Sequence, residues 1–308
     1  MKIYTKHAYS FHQLGEREGQ EDARYPDSDE IAEQAPCYVV CDGVGGNEAG
    51  EVASQTVCEA FGRCFEHFDG LKEEFAIEDF TSVLDEAYNA LDKISRSDSK
   101  FQQMATTLTF LCLHKGGALV AHIGDSRIYH IRPDAGILYR SSDHSLVNAM
   151  VHSGDITPDE AENHPKSNYI TRSMSPGIGG QARGCASVLQ IADVKKGDYF
   201  FLCTDGVLHC CNDDTLLDIL SSNIPDEMKM NDLARRCYFS TDNNTAILVG
   251  IKEVIDDGPE TNEADVAEWT RTKIIDLKDR CPEIVEVESI RPLRGSFFNR
   301  LINSVFKN

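Results

Sequence analysis

Basic residues are scarce in this chain. Lys and Arg number 30 against 51 Asp and Glu, and the formal net charge of the 308 residues is -21. That balance disfavours nucleic acid as a partner, because phosphate backbones are bound through Lys and Arg. Long apolar runs are missing as well. None approaches the roughly 20 residues that span a bilayer. Met1-Lys2-Ile3-Tyr4 leads into polar sequence, not into the apolar core of a secretory signal. The expectation is a cytoplasmic protein without a membrane span. A twelve-residue EF-hand loop is also absent, which argues against a calcium-binding module. Cysteines are not scarce: there are eleven, an odd number, expected to be reduced in that compartment. Cys37, Cys41, Cys112 and Cys203 fall inside apolar runs, where a thiol packs as a small hydrophobe. Cys210-Cys211 are adjacent, the wrong spacing for a zinc knuckle.

What is there is a sequence of strand and helix signals over about the first 250 residues, followed by a change of composition. Tyr38-Val39-Val40-Cys41 is a short apolar run ending at Asp42-Gly43. Ala53, Val57, Ala60, Phe61, Cys64 and Phe68 recur at three and four, as do Ile77, Phe80, Leu84, Ala87, Tyr88, Leu91 and Ile94. Two long amphipathic helices in succession predict an antiparallel pair. A hairpin follows, Thr107–Leu113 and Ala118–Ile123 about the turn Lys115-Gly116-Gly117. Ile128–Ile131, Tyr199–Cys203 and Thr245–Ile251 read as further strands. Because hairpins dominate and helices are grouped, the pattern predicts an antiparallel α+β protein and excludes a Rossmann-type parallel sheet. The expected architecture is two stacked antiparallel β-sheets flanked by antiparallel helix pairs, an α-β-β-α sandwich. Residues 1–252 form the expected catalytic domain. Residues 253–308 read as an acidic linker and an amphipathic tail, in which Arg291, Arg294, Arg300 and Lys307 accompany Phe297, Phe298, Leu301, Ile302, Val305 and Phe306.

The chemistry is carried by acidic residues at strand ends. Val40-Cys41-Asp42-Gly43, His122-Ile123-Gly124-Asp125 and Leu202-Cys203-Thr204-Asp205-Gly206 repeat one local pattern. A strand end presents a carboxylate rigidly, and a neighbouring glycine lets backbone approach a ligand. Glu21-Asp22 and Asp242-Asn243 stand beside strand signals as well. Carboxylates without an accompanying His and Cys set are hard oxygen donors, suited to Mg²⁺ or Mn²⁺. Singly, an Asp-Gly pair reads more readily as a turn.

Taken in order, the blocks Arg17-Glu18-Gly19-Gln20-Glu21-Asp22, Asp42-Gly43-Val44-Gly45-Gly46, Ala105-Thr106-Thr107, Gly124-Asp125-Ser126-Arg127, Asp143-His144-Ser145, Thr171-Arg172-Ser173-Met174, Thr204-Asp205-Gly206 and Asp242-Asn243-Asn244-Thr245 are those of a known family. Over about residues 8 to 252 the chain resembles the protein phosphatase 2C (PPM-type) family, in particular its compact bacterial members. The resemblance implies a serine/threonine protein phosphatase that uses water activated by two Mg²⁺ or Mn²⁺ ions. It implies that Asp42 bridges the two ions and that the Gly43 carbonyl is a ligand. Asp205 and Asp242 would hold the first ion, Glu21 the second, and Asp22 would act through water. Asp125 would share a third, weaker ion with Asp205. Arg17 would grip the substrate phosphate, with the planar fork that suits two phosphate oxygens.

That chemistry suits the problem. Phosphate monoesters hydrolyse so slowly that enzymatic accelerations reach about 10²¹-fold. Two cations about 3.5–4 Å apart acidify a water and neutralise phosphoryl charge. No phosphoenzyme is expected, and none of the cysteines is framed with Arg as in a cysteine-based phosphatase. Three positions depart from the family's commonest residues: Val44 where many members carry His or Met, Gln20 for Asn and Ala105 for Gly. Val44 cannot donate a proton, and His144 is expected to orient its loop, not to replace that acid. Residues 152–174, with Gly154, Pro158 and Pro165, read as a mobile flap that tunes docking. Phosphorylated Ser/Thr proteins are the expected substrates, a Hanks-type kinase the expected counterpart, and a monomer the expected state. The competing expectation is a pseudophosphatase-type module that binds phosphoprotein without turnover.

Overall fold

The structure is a computed structural model that describes residues 1–44, 48–162, 164–177, 183–256 and 285–287. The chain opens with β1 (Lys2–Thr5), β2 (Ala8–Gln13), β3 (Asp22–Tyr25), β4 (Glu30–Ile31) and β5 (Tyr38–Val44). Helices α1 (Glu48–Cys64) and α2 (Ile77–Ser97) follow, then β6 (Ala105–Thr106), β7 (Leu108–His114), β8 (Gly117–Ile123), β9 (Arg127–Arg132) and β10 (Gly136–Arg140). Two short helices, α3 (Leu146–Ser153) and α4 (Pro158–Glu162), precede β11 (Ala186–Ile191) and β12 (Tyr199–Cys203). Helices α5 (Asp205–Leu208), α6 (Asp213–Ser221) and α7 (Asp226–Cys237) lead to β13 (Asn244–Ile255) and the short β14 (Val285–Val287).

Strands collect into two sheets. One runs β10-β9-β12-β13-β2-β4, with β1 also on β13. The other runs β14-β11-β8-β7-β5-β3, with β6 also on β5. Pairings are antiparallel, as expected, apart from β11 with β14, which is parallel.

Side-chain alternation builds three apolar layers, because successive residues of a strand face opposite sides. On β7, Leu111 and Leu113 join Val120, Phe200, Leu202 and Ile247 between the sheets. Leu108, Phe110 and Cys112 point the other way, under α1 and α2, where Val57, Phe61, Phe80, Leu84 and Leu91 pack on them. On β12 the alternation repeats: Phe201 and Cys203 face α5–α7 and meet Val207, Leu216 and Leu233. Strands buried on both faces therefore read as unbroken apolar runs. Phe110 anchors the first outer layer, with its ring 5.1 Å from that of Phe61 and 5.3 Å from that of Phe80. Truncating such a phenyl ring costs about 3–5 kcal/mol.

Three local readings differ from expectation. Helix α1 ends at Cys64, so Phe68 packs on the core from beyond the helix. After β8, Gly124, Asp125 and Ser126 carry the chain across into the other sheet, a crossing on which the strand signals alone are silent. The segment expected as a loop contains the end of α3 and all of α4. Ser145 caps α3 by accepting from the Asn148 N–H at 3.3 Å. Strand β13 runs three residues past position 252, and the linker and amphipathic tail lie outside the described residues, apart from Val285–Val287. Among the described residues, no helix is long and apolar enough to cross a membrane, and the cysteines are free thiols.

Candidate active site

The acidic residues come together because both sheets deliver strand ends to one edge of the sandwich. In the first sheet, Cys203 pairs with Ala246 and Asn244 pairs with Gln13. Asp205, Asp242 and the loop bearing Arg17 therefore leave from the same side. In the second sheet, Asp22 stands directly opposite Asp42 on neighbouring strands. Asp125 sits on the crossing between the sheets. Hydrogen bonds close the seam: the Thr204 hydroxyl of one sheet donates to Asp22 Oδ2 of the other at 3.0 Å.

Electrostatics records the convergence. Burial pushes the Asp42 carboxyl well above the usual range, and the charges of Asp22, Asp205, Asp125 and Asp242 push it further. Asp22, fully buried, is raised to about 8 by desolvation, with Asp205 and Asp242 adding to it. Asp125 is raised to about 7 by desolvation and by Asp205 and Asp143. Asp205 is raised by burial and by Asp242, and lies within hydrogen-bonding reach of Asp42 when one of the two is protonated. Glu21 is raised by burial and by Asp242 and Glu51, against the pull of Arg17. Arg17 stands against these acids, half exposed, donating from Nη2 to Asp242 Oδ2 at 2.8 Å.

Among the described residues, two buried carboxylate oxygens, Asp22 Oδ1 and Asp205 Oδ1, have no hydrogen-bond partner of good geometry. A buried polar atom left unpaired costs about 1–3 kcal/mol, so these oxygens fit a cation better than they fit the bare protein. Among the described residues, no three His, Cys, Asp or Glu side chains form a ready-made metal cage. The acidic set is thus assembled by the fold, while its closing around an ion is not seen.

Positioning residues form a lattice around this set. The Asp42 backbone is held on both sides: its N–H donates to Thr107 Oγ1 at 2.9 Å, and its carbonyl accepts from the Thr107 N–H at 2.8 Å and from Thr106 Oγ1 at 2.9 Å. Asn243 spans the site: its Oδ1 accepts from the Glu21 N–H at 2.8 Å, and its amide donates to the Leu14 and Gly19 carbonyls at 2.8 and 3.0 Å. Ser54 on α1 donates to the Glu21 carbonyl at 2.6 Å. The Ala105-Thr106-Thr107 and Asp242-Asn243 blocks had been legible only as motifs, without a role for Thr106, Thr107 or Asn243. Thr204 is legible only as part of its Thr204-Asp205-Gly206 block, without a role, and Ser54 carries no signal at all.

Glycines set the close approaches. Gly43 packs on Gly50 of α1, and a Cβ at Gly43 would lie 2.3 Å from the Gly50 carbonyl oxygen. Gly15, at φ 62°, brings the Arg17 loop onto the Asp242 carbonyl, which a Cβ would meet at 2.2 Å. Both positions exclude any side chain without moving an acidic residue.

His144 is a framework residue. Its Nδ1 accepts from the Gly124 N–H at 3.1 Å, its Nε2 lies 3.0 Å from Ser187 Oγ, and its ring stacks on His122 at 4.4 Å. Burial, with His122 and Arg172 beside it, lowers its pKa to about 2. A neutral ring held at both nitrogens orients the Gly124-Asp125 turn and cannot act as a general acid. Its neighbour Asp143 accepts both ends of the Arg127 fork at 2.7 Å, which steadies the same turn.

Comparison with known proteins agrees with this architecture. Residues 20–236 match the family model described as protein phosphatase 2C. The protein phosphatase PhpP of Streptococcus pneumoniae is 34% identical over 221 residues, covering 70% of this chain and 85% of that protein. The crystal structure of the Mycobacterium tuberculosis serine/threonine phosphatase PstP/Ppp superposes with a TM-score of 0.69 at 26% identity, over 81% of this chain and 100% of the other. That of the serine/threonine phosphatase Stp1 from Staphylococcus aureus gives 0.67 at 28%, over 82% and 98%.

Proposed function

This chain belongs to the protein phosphatase 2C family and is a serine/threonine protein phosphatase, and from that premise we propose that its converging carboxylates hold two Mg²⁺ or Mn²⁺ ions for the hydrolysis of phosphoserine and phosphothreonine. The observation that supports this reading is the meeting of Asp22, Asp42, Asp125, Asp205 and Asp242 from two sheets, with unpaired oxygens on Asp22 and Asp205. All the donors are oxygens, as hard divalent cations require. Asp42, Asp205 and Asp242 would hold one ion. Asp42 and Glu21 would hold the other, with Asp22 behind them and Asp125 available to a third. The Gly43 carbonyl would be a ligand of one of the first two. When bound, the ions supply charge neutralisation at the phosphoryl group and an acidified water.

The chain's own residues do the rest. Arg17 offers one nitrogen to Asp242 and keeps further N–H groups for two phosphate oxygens. Its bond to Asp242 fixes the guanidinium beside the acidic set before substrate arrives. Thr106, Thr107 and Asn243 hold the backbone on which Asp42 and Glu21 are mounted, so the geometry is set by the fold. Neither Val44 nor the buried, neutral His144 supplies a proton to the departing hydroxyl.

Phosphorylated Ser/Thr proteins are the proposed substrates, with a Hanks-type kinase as the source of their phosphate. The test is metal-dependent release of phosphate from p-nitrophenyl phosphate and from phosphothreonine peptides in millimolar Mn²⁺, wild type beside Asp42→Asn. Hydrolysis by wild type that collapses in Asp42→Asn is the expected result. No hydrolysis of either substrate by wild type overturns the reading.

A further inference from the structure

Beside the acidic set lies an apolar surface that the chemistry does not use. Tyr238 and Phe239 are 62% and 78% exposed, and Met228 and Leu14 are 53% and 42% exposed. An open hollow of about 760 Å³ is lined by Gln13, Met228, Ala234, Arg235, Tyr238 and Phe239, among others. Its walls are the solvent side of α7 and the end of β2. Tyr238 and Phe239 stand edge to face, with ring centroids 4.9 Å apart and planes at 89°, so each limits the freedom of the other.

The hollow lies a few residues along the chain from the active site. Phe239 precedes Asp242 by three residues, and Leu14 precedes Arg17 by three. Three residues of extended chain reach about 10 Å at most. The two loops are also tied together. The Glu16 N–H donates to the Ser240 carbonyl at 2.9 Å, and Ser240 Oγ donates to the Gly206 carbonyl at 2.9 Å, next to Asp205. The aromatic pair is therefore fixed to the frame that carries Arg17, Asp205 and Asp242. Exposed apolar side chains gathered into one patch mark interaction sites.

We propose that this hollow is a docking subsite for the phosphoprotein substrate, and that it takes an apolar side chain two to four residues from the phosphorylated Ser or Thr. The inference rests on the phosphatase reading of the adjoining site. A phosphate gripped by Arg17 leaves the substrate chain running over either Phe239 or Leu14, and two to four residues of peptide span that reach. Phe239 and Tyr238 are specificity residues in this scheme and take no part in the chemical step.

The experiment uses the full chain in Mn²⁺ with p-nitrophenyl phosphate and a set of phosphothreonine peptides. The peptides differ only in Leu or Ser at two, three and four residues to either side of the phosphothreonine. Wild type is expected to favour at least one Leu peptide by about tenfold in kcat/KM, carried by KM. Phe239→Ser and Tyr238→Ser erase that preference and leave p-nitrophenyl phosphate hydrolysis unchanged. Phe239→Leu keeps most of it. Equal kcat/KM for all peptides in wild type, or a preference that survives both Ser variants, overturns the proposal. A preference that vanishes on removal of residues 257–308 assigns the surface to the chain's own tail and overturns it too. Fluorescence anisotropy of the same peptides reads the Leu-over-Ser preference without turnover, so an inactive preparation still decides the matter. Failure to hydrolyse p-nitrophenyl phosphate counts only against the catalytic reading.

Discussion

Asp22 and Asp198 are the same residue type, buried to 2% and 0% exposure, and they behave in opposite ways. Asp198 accepts from His130 Nε2 at 2.8 Å, from Arg132 Nε and Nη2 at 2.8 and 2.9 Å, and from the Lys195 N–H at 2.9 Å. Against the cost of desolvation, those partners lower its pKa to about 2. Asp22 accepts from Thr204, has one oxygen with no partner of good geometry, and faces Asp205 and Asp242, so burial raises it to about 8. The fold satisfies the structural carboxylate itself. It leaves the functional ones unsatisfied, at a cost in stability that a bound cation would offset.

The largest effect that could break this comparison is on turnover. Asp42→Asn should lower Mn²⁺-dependent kcat by about 10³-fold or more, a loss typical of removing a group that stabilises transition-state charge. The same variant should melt higher than wild type in EDTA, because folding no longer has to hold a proton on a carboxyl whose pKa burial raises. A lower melting temperature in EDTA would show that the acidic set is not uncompensated. Asp198→Ala should do the reverse. It strands His130 and Arg132 and should destabilise by about 3–5 kcal/mol in denaturant melts, with turnover per folded molecule retained.

The pH dependence sharpens the contrast. In the metal-free protein, Asp22 and Asp125 hold protons up to about 8 and about 7, whereas unfolded they lose them near 3.9. Between those limits the folded state binds more protons, so stability should fall as pH rises from about 4 to 8. Asp198 works the other way: its contribution is present above about 3.9 and is lost as pH falls toward 2. Melting temperatures in EDTA should therefore decline from pH 5 to 8, and Mn²⁺ should reduce the decline. A flat EDTA profile would remove the argument from the acidic set.

Smaller effects concern the supporting groups. Arg17→Ala should raise KM for phosphopeptides and lower kcat/KM by about 10- to 100-fold, the loss of one charge-assisted fork. His144→Ala should lower turnover by only a few-fold, since the ring orients the Gly124-Asp125 turn and stays neutral at working pH. A near-complete loss in His144→Ala with Mn²⁺ binding intact would make that residue part of the chemistry.

Much of this was legible in the residues alone. Short apolar runs bounded by turn residues placed β5, β7, β8 and β12, and the period of 3.6 placed α1 and α2, because burial on two faces or on one imposes those patterns whatever the rest of the chain does. The Asp-Gly strand ends pointed to Asp42, Asp125 and Asp205, which the fold brings together with Asp22 and Asp242. The roles of Thr107, Thr204 and Asn243 were not legible. Each acts through a hydrogen bond to a residue far away in sequence, and a polar residue at a strand end looks the same whether or not such a partner exists. The helical content of residues 146–162 was hidden behind Gly154 and Pro158. These end one helix and start another, and the composition reads equally as loop.

The amino-acid order by itself determined where the long buried strands and the two long helices run and which acids sit at strand ends, since those follow from local periodicity and turn chemistry. Only the tertiary structure decided the rest: the packing of one sheet on the other stranded Asp22 among carboxylates, while the pairing of β9 with β12 inside one sheet gave Asp198 its His130 and Arg132. A carboxylate's charge state depends on what stands within a few ångströms of it, and for both residues those neighbours come from distant parts of the chain.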